Sequence, residues 1–204
     1  MGAYPQIADW NGDDKKDLLV GDTGGNITLF LNTGTNSEPV LTDAGYIQAG
    51  GIYLSVGARA APVVVDWNND NRKDLVVGSD AGYIYLFLNT GTDAAPVFDS
   101  YEYITGGGGI AIEHFRSSPE VYDMDDDGRK DLIVGGWDGY AYLYFNVGTD
   151  SAPEFFESVK IEAGDTDLHV NNSAKFDLAD WDNNGDVDII IGEWNAYVSV
   201  FTRK

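Results

Sequence analysis

One pattern of oxygen-bearing side chains occurs four times along the chain. It reads D-x-[DN]-x-[DN]-x-x-x-D, so that carboxylate or amide oxygens fall at loop positions 1, 3, 5 and 9. Calcium takes six to eight oxygen ligands at about 2.3–2.6 Å, and a tight loop with alternating oxygen-bearing residues can wrap such an ion. We therefore predict four calcium sites per chain, with side-chain ligands from Asp9, Asn11, Asp13 and Asp17, from Asp66, Asn68, Asp70 and Asp74, from Asp123, Asp125, Asp127 and Asp131, and from Asp180, Asp182, Asn184 and Asp188.

Position 7 of each loop is expected to add its backbone carbonyl oxygen, as position 7 does in an EF-hand loop. This position holds Lys15, Arg72, Arg129 and Asp186. The loops are not EF-hands, because their last acidic ligand is an aspartate at position 9 and not a glutamate at position 12. Aspartate and asparagine also favour turns without any metal, but all sixteen predicted side-chain positions carry an oxygen. Magnesium is less expected than calcium, since it demands octahedral geometry and retains its waters.

The loops mark a long internal repeat. Loop position 1 recurs every 57 residues without a gap, at Asp9, Asp66, Asp123 and Asp180. We treat the whole chain, 1–204, as a single domain with repeat units 1–57, 58–114, 115–171 and a shorter 172–204. Internal repeats of this length indicate a β-propeller or a solenoid.

Short strand patterns surround each loop. In the second unit, Pro62–Asp66 is rich in valine, and Asp74–Gly78 is an apolar run suited to a strand buried on both faces. Tyr83–Asn89 is rich in aromatic and β-branched residues, and Pro96–Ile104 is expected to give a fourth, outer strand. Three or four antiparallel strands per unit are typical of a propeller blade. We therefore predict an all-β fold, a β-propeller of four blade repeats with the last one truncated; a β-sandwich is the alternative.

The stretch VVVDWNNDNRKDLVVG in the second unit resembles the FG-GAP and VCBS-type repeats of integrin α-subunit propellers and of many secreted microbial proteins. The resemblance extends to all four units. It implies a β-hairpin loop that binds calcium within each blade, through the ligand positions given above, and a location outside the cell or at the cell surface. The Phe-Gly and Gly-Ala-Pro signatures of that family are missing, and Gly21-Asp22-Thr23 stands where the second would be. Rings of that family usually have more than four blades, often seven, so the number of blades cannot be inherited from the family.

Three tryptophans share one phase of the repeat. Trp10, Trp67 and Trp181 follow the first loop aspartate, where the third unit has Met124. Because they recur in equivalent positions, we expect them to pack between blades.

Two further tryptophans could serve a ligand. Trp137 and Trp194 fall in the turn between the second and third strands, next to Asp138 and Asn195 respectively. An aromatic face beside carboxylate or amide oxygens suits stacking on a sugar ring. The alternative is a hairpin side chain that lies on its neighbour.

The acidic composition excludes several classes of partner. The 204 residues include 34 acidic and 12 basic side chains, which give a formal net charge of −22. Nucleic acid and anionic membrane surfaces are therefore poor partners. No apolar run reaches membrane-spanning length, so we expect no membrane insertion. The chain has no cysteine, which excludes disulfides and thiolate zinc sites.

Few residues remain for catalysis. Six of the twelve basic residues lie in the acidic loops, whereas a polyuronide lyase would need a base and a cationic clamp. No G-x-S-x-G or H-E-x-x-H motif is present. We expect no catalytic residues and a calcium-stabilised binding or adhesion module outside the cell, with a glycan or a protein as its ligand. The alternatives are a propeller domain of a polysaccharide lyase or hydrolase, and a purely structural module of a surface protein.

Closure of the ring has two solutions. The fourth unit stops at Lys204, which aligns with Thr33, and an open row of blades would expose a blade face at each end. One chain could close as a compact four-bladed ring, or two chains could join head to tail as an eight-bladed ring. We expect the monomeric ring, because each blade then meets its sequence neighbour.

The start of the chain, MGAYP, has no signal-peptide pattern.

Overall fold

The computed structural model describes residues 2–106, 110–111, 114–172, 175–192 and 197–203. Its secondary structure in these ranges is entirely β, and four antiparallel sheets are arranged in a ring as a four-bladed β-propeller. The predicted fold class is confirmed. Within the same ranges there is no helix with the length and apolar character needed to cross a membrane.

The strands follow the repeat. In chain order they are β1 (Tyr4–Ala8), β2 (Asp17–Gly21), β3 (Ile27–Asn32), β4 (Leu41–Tyr46), β5 (Gln48–Ala49), β6 (Ile52–Tyr53), β7 (Ala61–Val65), β8 (Asp74–Gly78), β9 (Ile84–Phe87), β10 (Glu102–Tyr103), β11 (Thr105–Gly106), β12 (Ile110–Ala111), β13 (Ser118–Tyr122), β14 (Asp131–Gly135), β15 (Ala141–Tyr144), β16 (Val159–Lys160), β17 (Glu162–Ala163), β18 (Thr166–Asp167), β19 (Lys175–Ala179), β20 (Asp188–Gly192) and β21 (Val198–Phe201).

Each of the first three blades is a four-stranded sheet, and the fourth has three strands among the described residues. The blades are β1 to β4, β7 to β10, β13 to β16 and β19 to β21. Small two-stranded ladders, β5 with β6, β11 with β12 and β17 with β18, lie between consecutive blades. The outer strand expected within Pro96–Ile104 is short, since β10 pairs with β9 over two residues only.

The hairpin at the inner side of each blade has one register throughout. The pairs that flank the four acidic loops are Ala8 with Asp17, Val65 with Asp74, Tyr122 with Asp131 and Ala179 with Asp188. Loop position 9 is therefore the first residue of the second strand in every blade. A slip of one residue would turn the apolar side chains of that strand to the wrong face. The apolar run that follows the loop therefore fixes the strand register, and the register fixes how many residues the loop contains.

Apolar cores lie between consecutive blades. Leu19 of the first blade belongs to the same apolar cluster as Leu75 and Phe87 of the second blade. Val76 of the second blade and Leu132 of the third belong to a second cluster. A third core joins the third and fourth blades through residues that include Leu143, Leu168 and Ile191.

The tryptophans after loop position 1 behave in two ways. Trp10 and Trp67 are 4% and 5% exposed and belong to the first and second of these cores, and the prediction that they pack between blades is confirmed. Met124 packs partly buried against the third core. The prediction is wrong for Trp181, which is 62% exposed. The described residues contain no apolar core on its side of the fourth blade, so nothing buries this ring.

The four inner strands line a central cavity of about 520 Å³. It contains few charged groups. Burial and the negative charge of Asp177 raise the pKa of Glu120 to about 8, and burial lowers the pKa of Lys175 to about 7. The Lys175 ammonium lies 2.9 Å from the ring centroid of Tyr4, which brings the fourth and first blades together beside the cavity.

Candidate metal centres

Each candidate centre is a loop whose backbone passes through two left-handed residues. Loop positions 4 and 6 have φ values between 57° and 95° in all four units. Glycine, asparagine and aspartate reach this region most readily. Only these three residue types occupy the two positions, at Gly12, Asn69, Asp126 and Asn183 and at Asp14, Asn71, Gly128 and Gly185. This composition is a signal for the loop backbone that the pattern of oxygen ligands does not include.

The carboxylate at position 1 accepts hydrogen bonds from its own loop. In the second unit, Asp66 Oδ1 accepts the backbone N–H of Asp70 at 3.0 Å, and Asp66 Oδ2 accepts that of Asn71 at 2.9 Å. The same pair of bonds forms at Asp9, Asp123 and Asp180. Aspartates in turns commonly bond their own backbone in this way, so the loop is organised by its own hydrogen bonds.

Positions 3 and 5 continue this network. Asn68 Oδ1 accepts the N–H of Asp70 at 3.1 Å, and Asp70 Oδ1 accepts that of Arg72 at 2.9 Å. The corresponding acceptors in the other units are Asn11 and Asp13, Asp125 and Asp127, and Asp182 and Asn184. The oxygens predicted as ligands thus have one arrangement in all four loops.

The aspartate at position 9 is buried in every unit. Asp74 Oδ2 accepts the N–H of Trp67 at 2.9 Å, while Oδ1 accepts that of Asn89 at 2.7 Å. Asp17, Asp131 and Asp188 make the equivalent two bonds, and all four aspartates are at most 1% exposed. Burial raises the pKa of Asp74 and of Asp131, and neighbouring loop carboxylates add to the effect. A cation beside these groups would favour their ionised forms.

Carboxylates converge most closely in the third and fourth loops, where position 3 is also an aspartate. Asp123, Asp125 and Asp131 each offer one oxygen within 4.8 Å of the others, and so do Asp180, Asp182 and Asp188. In the first two loops an asparagine amide oxygen occupies position 3 and accepts the same backbone N–H. A set of carboxylate and amide oxygens suits a hard cation such as calcium, so the residues present fit the predicted metal.

The basic side chains at position 7 of the first three loops fold back over their own loop. Arg72 donates through Nε to the carbonyl oxygen of Asn89 at 2.6 Å and pairs through Nη2 with Asp70. Arg129 repeats this arrangement in the third unit, and Lys15 Nζ lies 3.7 Å from Asp13. These cations offset part of the negative charge that the loop concentrates.

A buried asparagine completes the support of the first three centres, and sequence reasoning did not assign it this role; the fourth unit has Arg203 at this position, whose backbone N–H donates to Asp188. Asn89 is 1% exposed, and its Oδ1 accepts the N–H groups of Gly91 at 2.9 Å and Val97 at 3.0 Å. Its own N–H donates to Asp74, which ties the loop to the next turn of the blade. Asn32 and Asn146 repeat these contacts. The recurring sequence N-[TV]-G-T is the signal that identifies this residue.

The predicted sugar contact lies at the other end of the blades, because successive turns of an antiparallel sheet lie at opposite ends. The Arg116 guanidinium lies over the ring of Trp137, 3.9 Å from its centroid. Tyr142 donates its hydroxyl to Asp138 Oδ2, and burial, together with this bond, raises the pKa of Tyr142. The two side chains are neighbours in one turn, but each already has a partner from the protein. The equivalent pair, Trp194 and Asn195, lies outside the described residues.

Comparison with known proteins identifies the repeat. A model of the FG-GAP-like repeat family matches residues 9–77 and 123–191. Integrin alpha-4 of Xenopus laevis is 24% identical over 169 residues, which are 76% of this chain and 16% of the integrin. The chain therefore spans only a small part of the length of that relative.

Two solved structures match the chain at low similarity. A structure of the Photorhabdus luminescens Tc holotoxin pore covers 96% of this chain and 9% of its own, with a TM-score of 0.48 and 19% identity. BBS1N in complex with ARL6DN covers all of this chain and 59% of its own, with a TM-score of 0.43 and 13% identity. The family match is the more informative result, since both matched segments begin at position 1 of an acidic loop and together include more than half of the chain. This protein belongs to the FG-GAP-like repeat family.

Proposed function

We propose that this protein is a calcium-stabilised β-propeller that acts as a binding or adhesion module outside the cell. The observation that carries the proposal is the common geometry of the four acidic loops, in which oxygen atoms from positions 1, 3, 5 and 9 are held by one repeated hydrogen-bond network. Membership of the FG-GAP-like repeat family and similarity to integrin alpha-4 support a binding role and a place at the cell surface.

The side chains at positions 1, 3, 5 and 9 of each loop would hold the ion, four ions per chain. Calcium would supply positive charge among carboxylates that otherwise repel one another. The protein's own contribution is to fix the loop: position 9 is anchored in the buried second strand, and the two left-handed residues bend the backbone around the oxygens. The four ions would therefore stabilise the inner hairpin of each blade.

A binding role fits the side chains better than catalysis does. Arg59 and Arg116 both pair with Asp80, at 3.3 and 3.1 Å, so these two cations are engaged in one structural contact. His114 is stacked on Tyr142 at 3.9 Å, and burial lowers its pKa. Lys15, Arg72, Lys73, Arg129 and Lys130 of the loops pair with loop carboxylates or neighbouring aspartates.

We place the ligand, a carbohydrate, at the rim opposite the calcium loops, near Trp137 and Asp138. An aromatic ring beside a carboxylate and a guanidinium offers both a stacking face and hydrogen-bond partners for sugar hydroxyls. Trp194 and Asn195 would supply the equivalent groups in the fourth unit.

Two measurements test this function. A glycan array probed in calcium and in EDTA should show binding that calcium supports, and absence of binding to any glycan would contradict the carbohydrate assignment. Titration of a glycan found in this way, followed by tryptophan fluorescence, should give weaker affinity for Trp137→Ala than for the wild type. Phe156→Ala is the matched control, since this aromatic residue is 59% exposed and belongs neither to the turn of Trp137 nor to a blade junction. Equal affinities of Trp137→Ala and the wild type would remove Trp137 from the site.

A further inference from the structure

The junction between the fourth and first blades differs from the other three. Apolar cores fill the first three junctions, whereas the described residues contain none here. We call this junction the seam. Its fourth-blade wall consists of Trp181, Ile190, Val198 and Val200, and its first-blade wall consists of Ile7, Leu18, Val20, Phe30 and Leu41.

Both walls are built for a blade junction. Shifted by two repeat units, the fourth-blade wall corresponds to Trp67, Val76, Ile84 and Leu86, and the first-blade wall to Val121, Leu132, Val134, Tyr144 and Phe155. These nine residues form the junction between the second and third blades. The seam therefore carries both halves of an interface that the protein packs elsewhere.

The seam residues are nevertheless accessible. Trp181 is 62% exposed and Leu41 45% exposed, whereas their equivalents Trp67 and Phe155 are in ring contact and at most 5% exposed. Val198 and Ile7 are also largely exposed. A row of large apolar side chains open to water marks an interaction surface.

The space beside the glycine at the end of each second strand also distinguishes the seam from the packed junctions. A Cβ on Gly21 would lie 1.9 Å from the carbonyl oxygen of Ala60 in the next blade, and one on Gly78 would lie 2.3 Å from that of Ser117. These two blades thus need glycine because the following blade is so close. The equivalent Gly192 has nothing within 4 Å of its Cβ position. The fourth blade is shaped to receive a neighbour that this chain does not bring into place.

Polar groups at the rim of the seam also match. Between the second and third blades, Asn69 donates through Nδ2 to Asp150 at 2.7 Å and accepts a bond from Lys130 Nζ. The seam carries Asn183 at the position of Asn69, with Lys16 and Asn36 at the positions of its two partners, and all three are exposed. A blade that fits the apolar walls would bring these groups together as well.

We propose that a second copy of this chain fills the seam. The fourth blade of each copy packs against the first blade of the other, and the two chains close an eight-bladed ring around a two-fold axis. A head-to-tail contact that closes after two copies covers both walls of each chain. A different partner bound to one wall would leave the other wall exposed. The contact of Tyr4 with Lys175, within one chain here, then forms between chains. This favours the second of the two closures that the sequence allows.

Light scattering in calcium-containing buffer tests the proposal. The wild type is expected to have twice the chain mass of 22.2 kDa. Trp181→Glu, which places a charge in the seam, should give the single-chain mass. Phe156→Glu is the control, because Phe156 is equally apolar and 59% exposed but lies outside the seam; it should remain a dimer. Circular dichroism checks that both variants are folded. Gly192→Ala should also weaken the dimer, since its methyl group would meet the incoming blade.

Cross-linking distinguishes exchange between chains from closure within one. Since the chain has no cysteine, Trp181→Cys and Leu41→Cys each introduce a single thiol. A mixture of the two variants, equilibrated together and treated with a short bismaleimide, should give a product of two chains, whereas each variant alone should give much less. A single-chain mass for the wild type at every soluble concentration would overturn the proposal, as would a dimer that survives Trp181→Glu. If a chain carrying both Trp181→Cys and Leu41→Cys is cross-linked only within itself, the compact four-bladed ring of one chain is established instead.

Discussion

Trp67 of the second blade lies against Phe155 of the third, with ring centroids 6.2 Å apart. The backbone N–H of the same tryptophan donates to Asp74 at 2.9 Å, so one residue joins the core between blades to position 9 of an acidic loop. Trp10 makes the corresponding contacts in the first blade. The acidic loop and the blade junction therefore share a residue, and we expect a substitution in either one to affect the stability of the other.

Truncation of the core partner gives the first prediction. Phe155→Ala should lower the free energy of unfolding by about 3–5 kcal/mol, because Phe155 is 2% exposed and its loss leaves a cavity beside Trp67. The adjacent Phe156, 59% exposed, provides a matched control, and Phe156→Ala should change stability by no more than about 0.5 kcal/mol. Urea denaturation of both variants measures the difference. Similar losses for the two would contradict the assignment of Phe155 to the blade junction.

Much of the fold was accessible from the sequence because the repeat gives the same evidence several times. An apolar run that follows Asp74 predicts a doubly buried strand, and β8 is buried at all five residues. The oxygen pattern of the loops was equally readable, since side-chain types and spacing determine which groups a short hairpin brings together.

The features that the sequence did not predict correctly depend on contacts between separate parts of the fold. Trp181 has the same local sequence environment as Trp67, yet one is exposed and the other buried. Local pattern gives the face on which a side chain lies, but its burial depends on whether another blade packs there. The role of Asn89 was missed for a related reason: its amide connects two turns that are distant from each other in the hairpin pattern.

Removal of calcium should destabilise the protein. Extracellular-type calcium sites have Kd values of roughly 0.1–1 mM, and at about 2 mM calcium a site of about 0.1 mM adds roughly 1.8 kcal/mol by linkage. Four sites should therefore shift the Tm upward by many degrees. Thermal denaturation in calcium and in EDTA measures this, with magnesium as the control cation. A Tm that EDTA leaves unchanged would exclude a stabilising role for the ions.

Substitution within one loop separates metal binding from turn formation. Asp66→Ala should cost more stability in calcium than in EDTA, because in EDTA it removes only the bonds to the N–H groups of Asp70 and Asn71. Asp43 is a suitable control, since its carboxylate accepts the N–H of Gly45 at 2.8 Å in a turn outside the acidic loops. The cost of Asp43→Ala should not depend on calcium. Equal costs of Asp66→Ala in both buffers would make Asp66 a turn residue only.

The last prediction concerns the pH dependence of stability and the carboxyl group of Glu120. Burial, and then the negative charge of Asp177, raises its pKa to about 8, above the usual 4.5. Below pH about 4.5 the group is protonated in both folded and unfolded chains, and its favourable contribution is complete. As pH rises towards 8 the unfolded chain releases the proton while the folded chain retains it, so this contribution is lost.

Glu120→Gln keeps the shape and removes the titration. The variant should therefore gain stability relative to the wild type as pH rises from 5 to 8. Because the side chain faces the central cavity and is only partly hidden from water, we expect a relative gain of about 1–2 kcal/mol. Lys175, whose lowered pKa acts in the opposite sense, is common to both proteins and cancels in the comparison. Urea denaturation at several pH values measures the difference, and a difference that stays constant from pH 5 to 8 would show that the Glu120 carboxyl titrates alike in the folded and unfolded chains.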